Sequence, residues 1–129
     1  MFGQTFVPGG CDIESGVYTP TCTPIANITA VNGQPSTWIK IGRIVIVSGQ
    51  FQINAAAIGI PNTLFSFSLP VVGGNFTTST QGSGNGTFQN QNSGNLATRA
   101  WTVEAGFYML PEIAGVSVNS RFVFMYQIQ

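Results

Sequence analysis

Trp38-Ile39-Lys40-Ile41-Gly42-Arg43-Ile44-Val45-Ile46-Val47-Ser48-Gly49 is the stretch on which the fold turns. It is rich in β-branched residues, which fit a pleated surface, and it is broken once, at Gly42-Arg43. A glycine at the first central position of a two-residue loop takes the positive φ of a type II′ turn. That turn sets the register: Ile41 opposes Ile44, Lys40 opposes Val45, Ile39 opposes Ile46 and Trp38 opposes Val47. Opposed residues share a face. One face then carries Trp38, Val45, Val47, Phe51 and Ile53, a core face. The other carries Ile39, Ile41, Ile44 and Ile46 before turning polar at Ser48, Gln50 and Gln52.

The same period of two runs along the rest of the chain. Phe65, Phe67 and Leu69 alternate with Ser66 and Ser68. Trp101, Val103, Ala105, Phe107 and Met109 share one parity and predict a strand, on whose solvent side Glu104 falls. Ala55-Ala56-Ala57 is expected to make one helical turn at most, because no longer window keeps a helical apolar stripe free of Gly or Pro. Pro20 and Pro24 each remove a ladder donor, so the segment Tyr18–Val31 belongs at a sheet edge. Residues 73–95, rich in Gly, Ser, Thr, Asn and Gln, read as polar strands and loops of the same domain. The expected architecture is all-β with little or no helix: one antiparallel sandwich over 15–129, preceded by an arm over 1–14.

A sandwich buries one face of each sheet, so four clustered isoleucines on the second face leave several hundred Å² of apolar surface in water. Monomers rarely expose that much. At about 25 cal/mol/Å², covering the patch is worth several kcal/mol before the costs of association. The final run Arg121–Ile128 is also apolar on both parities, with Phe122, Phe124, Tyr126 and Ile128 against Val123 and Met125. The expected subunit interface is therefore Ile39, Ile41, Ile44, Ile46, Phe122 and Phe124, and the expected partner a second copy of the chain. The competing reading is that the arm or a loop of the same chain covers these residues.

Composition excludes most chemistry. Among 129 residues there are four Lys/Arg, four Asp/Glu and no His. Only 6% of residues are charged, against about 25% in ordinary domains. Four cations cannot track a nucleic-acid backbone. Without His, neither a Ser-His-Asp nor a Cys-His site can be built, and two cysteines are too few for a structural zinc. Lys40, the only lysine, has no nucleophile motif beside it. The carboxylates Asp12, Glu14, Glu104 and Glu112 do not suggest the paired cleft of a glycosidase. Gly82-Ser83-Gly84-Asn85-Gly86 has no lysine or helix after it and makes a poor phosphate cradle. No catalytic residue, cofactor or metal is expected.

Met1-Phe2-Gly3-Gln4-Thr5 lacks the basic and apolar regions of a secretory signal. Apolar runs are far shorter than the ~20 residues of a membrane span, so no membrane insertion is expected. The sequons at Asn27, Asn75 and Asn85 carry no weight without a secretory route. Cys11 and Cys22 are close enough to form one short disulfide loop, and equally read as two thiols of a reducing cytoplasm. The amides Gln89, Asn90, Gln91 and Asn92 beside Phe88 suit recognition of host-surface carbohydrate, although any uncharged exposed loop has this composition.

Ser15-Gly16-Val17-Tyr18-Thr19-Pro20-Thr21, Gly42-Arg43-Ile44-Val45-Ile46-Val47-Ser48-Gly49, Phe67-Ser68-Leu69-Pro70 and the aromatic strand Phe122–Ile128 together resemble a family of small bacteriophage virion β-sandwich proteins. The likeness spans residues 15–128 and is poor over 73–120. It implies a jelly-roll sandwich, usually trimeric, that decorates the capsid or forms part of a head or tail fibre. It also implies localisation to the virion after assembly in the host cytoplasm. Residues 1–14 would then attach the protein to capsid or other virion proteins. The alternative function is a receptor-binding adhesin domain for host-surface sugars.

Overall fold

The computed structural model describes residues 4–7, 11–58, 62–88, 92–109, 111 and 114–129. Among them the chain is all-β, with no helix. The strands are β1 (Gln4–Val7), β2 (Cys11–Tyr18), β3 (Cys22–Ala26), β4 (Ile28–Gly33), β5 (Ser36–Ile41), β6 (Ile44–Ala55), β7 (Thr63–Phe67), β8 (Gly82–Phe88), β9 (Asn92–Thr98), β10 (Ala105–Met109) and β11 (Val118–Gln127). Every ladder between them is antiparallel. They form one sheet in the order β1-β2-β5-β6-β11-β8-β9-β10-β7-β3, with β4 also paired to β6.

The hairpin that decides the fold has the register read from its sequence. Ile41 pairs with Ile44, Ile39 with Ile46 and Trp38 with Val47. Gly42 has φ +60°, whereas Arg43 is not among the positive-φ residues, which is the type II′ pattern. β6 continues past β5. Its first half pairs with β5 and its second half with β4, while β11 runs along its other edge from Ile44 to Ile53.

A single bent segment ties the β3 end of the sheet back to β6 in its middle. β3 pairs with β7, β4 pairs with β6, and only Asn27 separates them. Asn27 has φ +55°, a left-handed conformation that Asn tolerates better than most residues. Its carboxamide accepts the Ala57 N–H at 2.8 Å and donates to the Ala57 carbonyl at 2.9 Å. It also donates to the Thr63 hydroxyl at 3.2 Å. The corner is thereby tied to both the end of β6 and the start of β7. The amide of the Asn27 sequon is thus spent on closing the fold.

Curling sets the β6–β11 wall against the β7–β10 wall, and aromatic rings fill the space between. Phe51 stacks on Phe122 at 4.3 Å and meets Phe65 edge-on at 4.9 Å. Phe65 in turn stacks on Phe107 at 5.1 Å. Such pairs add about 0.5–1.5 kcal/mol each beyond burial. The two facing walls give the sandwich character expected, but these ladders do not establish a jelly-roll strand order.

The glycine run in β8 is explained by this core. Gly82, Gly84 and Gly86 stand opposite Tyr126, Phe124 and Phe122. A Cβ on Gly82 would lie 2.7 Å from the Tyr126 Cβ and 2.8 Å from the Phe124 ring, and one on Gly86 would meet the Phe107 ring. Glycine makes room for the rings. The run is a strand, not an anion cradle.

Three expectations need correction. Where it is described, the expected arm over 1–14 is built into the sheet: Gln4–Val7 pairs with β2 and β2 with β5, so the expected boundary at residue 15 falls inside β2. The strand expected from Trp101 begins only at Ala105, because Ala100 and Trp101 form a turn. Glu104 accordingly lies outside it, half-buried. The expected helical turn at Ala55–Ala57 is the end of β6 and a bend.

Candidate interaction face

Following the ladders outward from the Gly42 turn places the apolar residues in rows. Ile13, Ile41 and Ile44 are successive partners on β2, β5 and β6. In the next row Ile39 pairs with Ile46 and Ile46 with Met125. A third row brings Val17 of β2 to Thr37, Ser48 and Val123. Alternation along each strand points all of these away from the core. The result is a continuous apolar strip across four strands on the outer face.

Exposure agrees with the register. Ile41 is 42% exposed, Val123 52% and Met125 48%. Ile39, Ile44 and Val17 are exposed as well, and Ile13 and Ile46 are half-buried. None of the described residues folds over the strip. Where it meets the start of β8 it borders a shallow cleft of about 280 Å³, lined by Ile44 and Met125 on one side and Thr80, Gln81 and Ser83 on the other.

Of the expected interface residues, Ile39, Ile41, Ile44 and Ile46 come together on this face. Phe122 and Phe124 do not: they are 2% and 0% exposed and belong to the aromatic core. Their neighbours Val123 and Met125 take the outward positions on β11 instead. Both parities of β11 are apolar, so alternation alone could not say which faces in.

The charged groups gather no site. Glu14 and Lys40 are cross-strand partners on the opposite face from the isoleucines, joined by an exposed contact of 3.5 Å, which is worth little in water. Among the described residues no group of three or more His, Cys, Asp or Glu could hold a metal. The side chain of Asp12 and all of Glu112 lie outside the described residues, as do Gln89–Gln91 and the side chains of Phe88 and Asn92 proposed for sugar binding.

Cys22 is a free thiol. Cys11 lies seven residues before Tyr18 along β2, about 23 Å at strand rise, whereas Cys22 pairs with Phe67, next to the Ser68 carbonyl that the Tyr18 hydroxyl bonds. A disulfide needs Cα atoms within about 7 Å, so of the two readings left open by the sequence this strand geometry favours the free thiol at Cys22. Burial pushes the Cys22 thiol up to about 12, far from a reactive thiolate at neutral pH.

Two tyrosines, buried Tyr126 and half-buried Tyr18, pin the crossover after β7. The Tyr18 hydroxyl donates to the Ser68 carbonyl at 3.1 Å. The Tyr126 hydroxyl donates to the Val71 carbonyl at 2.7 Å and accepts the Val71 N–H at 3.2 Å. Burial raises both phenols, Tyr126 to about 12.

Comparison with family models, curated proteins and solved structures finds no match to this chain.

Proposed function

We infer that the chain is a non-enzymatic structural subunit of a tailed-phage virion, assembled as a homotrimer that decorates the capsid or forms a fibre domain. The observation that carries this reading is the apolar strip of Ile39, Ile41, Ile44, Val123 and Met125, left in water on one side of a complete, well-filled sheet. Strips of that size mark association surfaces, and the near absence of charge leaves little repulsion between copies. Likeness of four sequence segments to virion proteins supplies the setting. β1 ends the sheet, so the attachment role expected of residues 1–14 falls to the β1–β2 hairpin edge.

Sedimentation of the purified chain tests the assembly. A trimer that Ile44→Lys and Ile46→Asp convert to folded monomer is the expected result, since an unpaired charge is costly to bury. A wild-type chain that sediments as a monomer at micromolar concentration overturns it. Reconstruction of the intact virion would locate the subunit.

A further inference from the structure

We propose that Trp101 is a stacking platform for a neutral saccharide, displayed on the turn between β9 and β10. The turn spans Arg99–Thr102 and is closed by the Thr102 N–H donating to the Arg99 carbonyl at 3.2 Å. Of its two central residues only Trp101 has a positive φ, 64°. That is the pattern of a type II turn, whose third position normally falls to Gly or Asn. A bulky aromatic there is a genuine outlier.

The surrounding chain holds the outlier in place. The Trp101 N–H donates to the Phe76 carbonyl at 2.6 Å, and the Phe76 N–H donates to the Thr102 carbonyl at 2.8 Å. The Thr102 hydroxyl donates to the Arg99 carbonyl at 2.9 Å and accepts the Glu104 N–H at 3.1 Å. Phe76 is itself buried, its ring edge-on to Tyr126 at 6.0 Å. The backbone of Trp101 is therefore anchored through Phe76 to the core, while its indole is 73% exposed. Strain maintained to hold a large ring in water is the pattern of a binding site rather than of packing.

The ligand class follows from what borders the ring. Phe76, bonded to the turn through both its N–H and its carbonyl, is flanked by exposed Asn75 and Thr77, which bear a neutral carboxamide and a hydroxyl, while Arg99 and Glu104 beside the turn are half-buried. A pyranose presents an apolar C–H face that stacks on an indole, and hydroxyls that pair with such groups. A protein partner would call for a wide apolar surround, which this chain places on the isoleucine strip and not here.

The test is an array of neutral and acidic glycans probed with the full-length assembled protein, followed by titration of the best neutral oligosaccharide. Trp101→Gly is the decisive variant, because Gly suits the turn. It should melt at or above the wild-type temperature and bind several-fold to about tenfold more weakly, the scale of one lost stacking contact. Trp101→Asn, also tolerant of positive φ, serves if Gly loosens the turn. Failure of the wild-type protein to retain any neutral glycan overturns the proposal. So does unchanged affinity in the variants, or loss of the oligomer on substitution, which would make the ring part of a protein contact.

Discussion

Beside the Gly42 turn the β6–β11 pair carries apolar residues on both faces, and they have opposite fates. Inward, Phe51, Phe122, Phe124 and Tyr126 stack among rings from β7 and β10 and lose nearly all their water. Outward, Ile46 pairs with Met125, with Ile44 and Val123 two positions along their strands, yet Ile44, Val123 and Met125 stay exposed. Over this stretch hydrophobicity alone does not choose the core side; the curl of the sheet, held by the corner at Asn27, decides which side becomes an interior. The outer side is where a second molecule can still gain burial energy.

The comparison can be broken most directly at its centre. Phe51→Ala should cost about 3–5 kcal/mol of folding stability, measured by chemical denaturation, because that ring touches four others. Ile44→Lys should dissociate the assembly by light scattering yet leave a folded monomer, whose denaturation midpoint no longer depends on protein concentration. Equal loss of folding in both variants would erase the distinction between the faces. Gly86→Ala sharpens the comparison from the inner side. Its new methyl meets the Phe107 ring, and overpacking of this kind costs about 1–3 kcal/mol.

The smallest effect is a pH dependence of the inner face alone. Cys22 and Tyr126 have folded pKa values raised from 9.0 and 10.0 to about 12, so the unfolded chain loses these protons first. Stability is then complete below about pH 9 and falls as pH rises from there towards 12. Tyr126→Phe should make the alkaline decline shallower and cost about 1 kcal/mol at neutral pH, through its lost bonds to Val71. An alkaline melting profile unchanged by this variant would show that the Tyr126 phenol is not what titrates.

Where local chemistry was unambiguous, the sequence was legible. Gly42 between two alternating runs specifies both the turn and the register, and Phe65, Phe67 and Leu69 announce their own face. β11 was legible as a strand but not in its orientation, since Phe122 and Val123 are both good core residues. The resolving signal lies in another strand: small residues at one parity of β8 (Gly82, Gly84, Gly86) mark the side on which β11 carries its rings. Trp101 was misread because its parity matches β10 and no Gly or Asn announces the turn. The β1–β2 hairpin was hidden for a different reason. Its strand character comes from pairing with β5, a contact between segments that neither pattern predicts alone.

The corner at Asn27 also constrains how the molecule can form. β6 must find β11 some 70 residues later in the chain, and the sheet gains its interior only when one short segment has reached both β7 and β6. Local pieces are worth little on their own, so assembly of the monomer should be slow for its size, in the millisecond-to-second range of topologies dominated by distant pairings. For the same reason the curled sheet should open as one cooperative event, with no stable half to linger exposed.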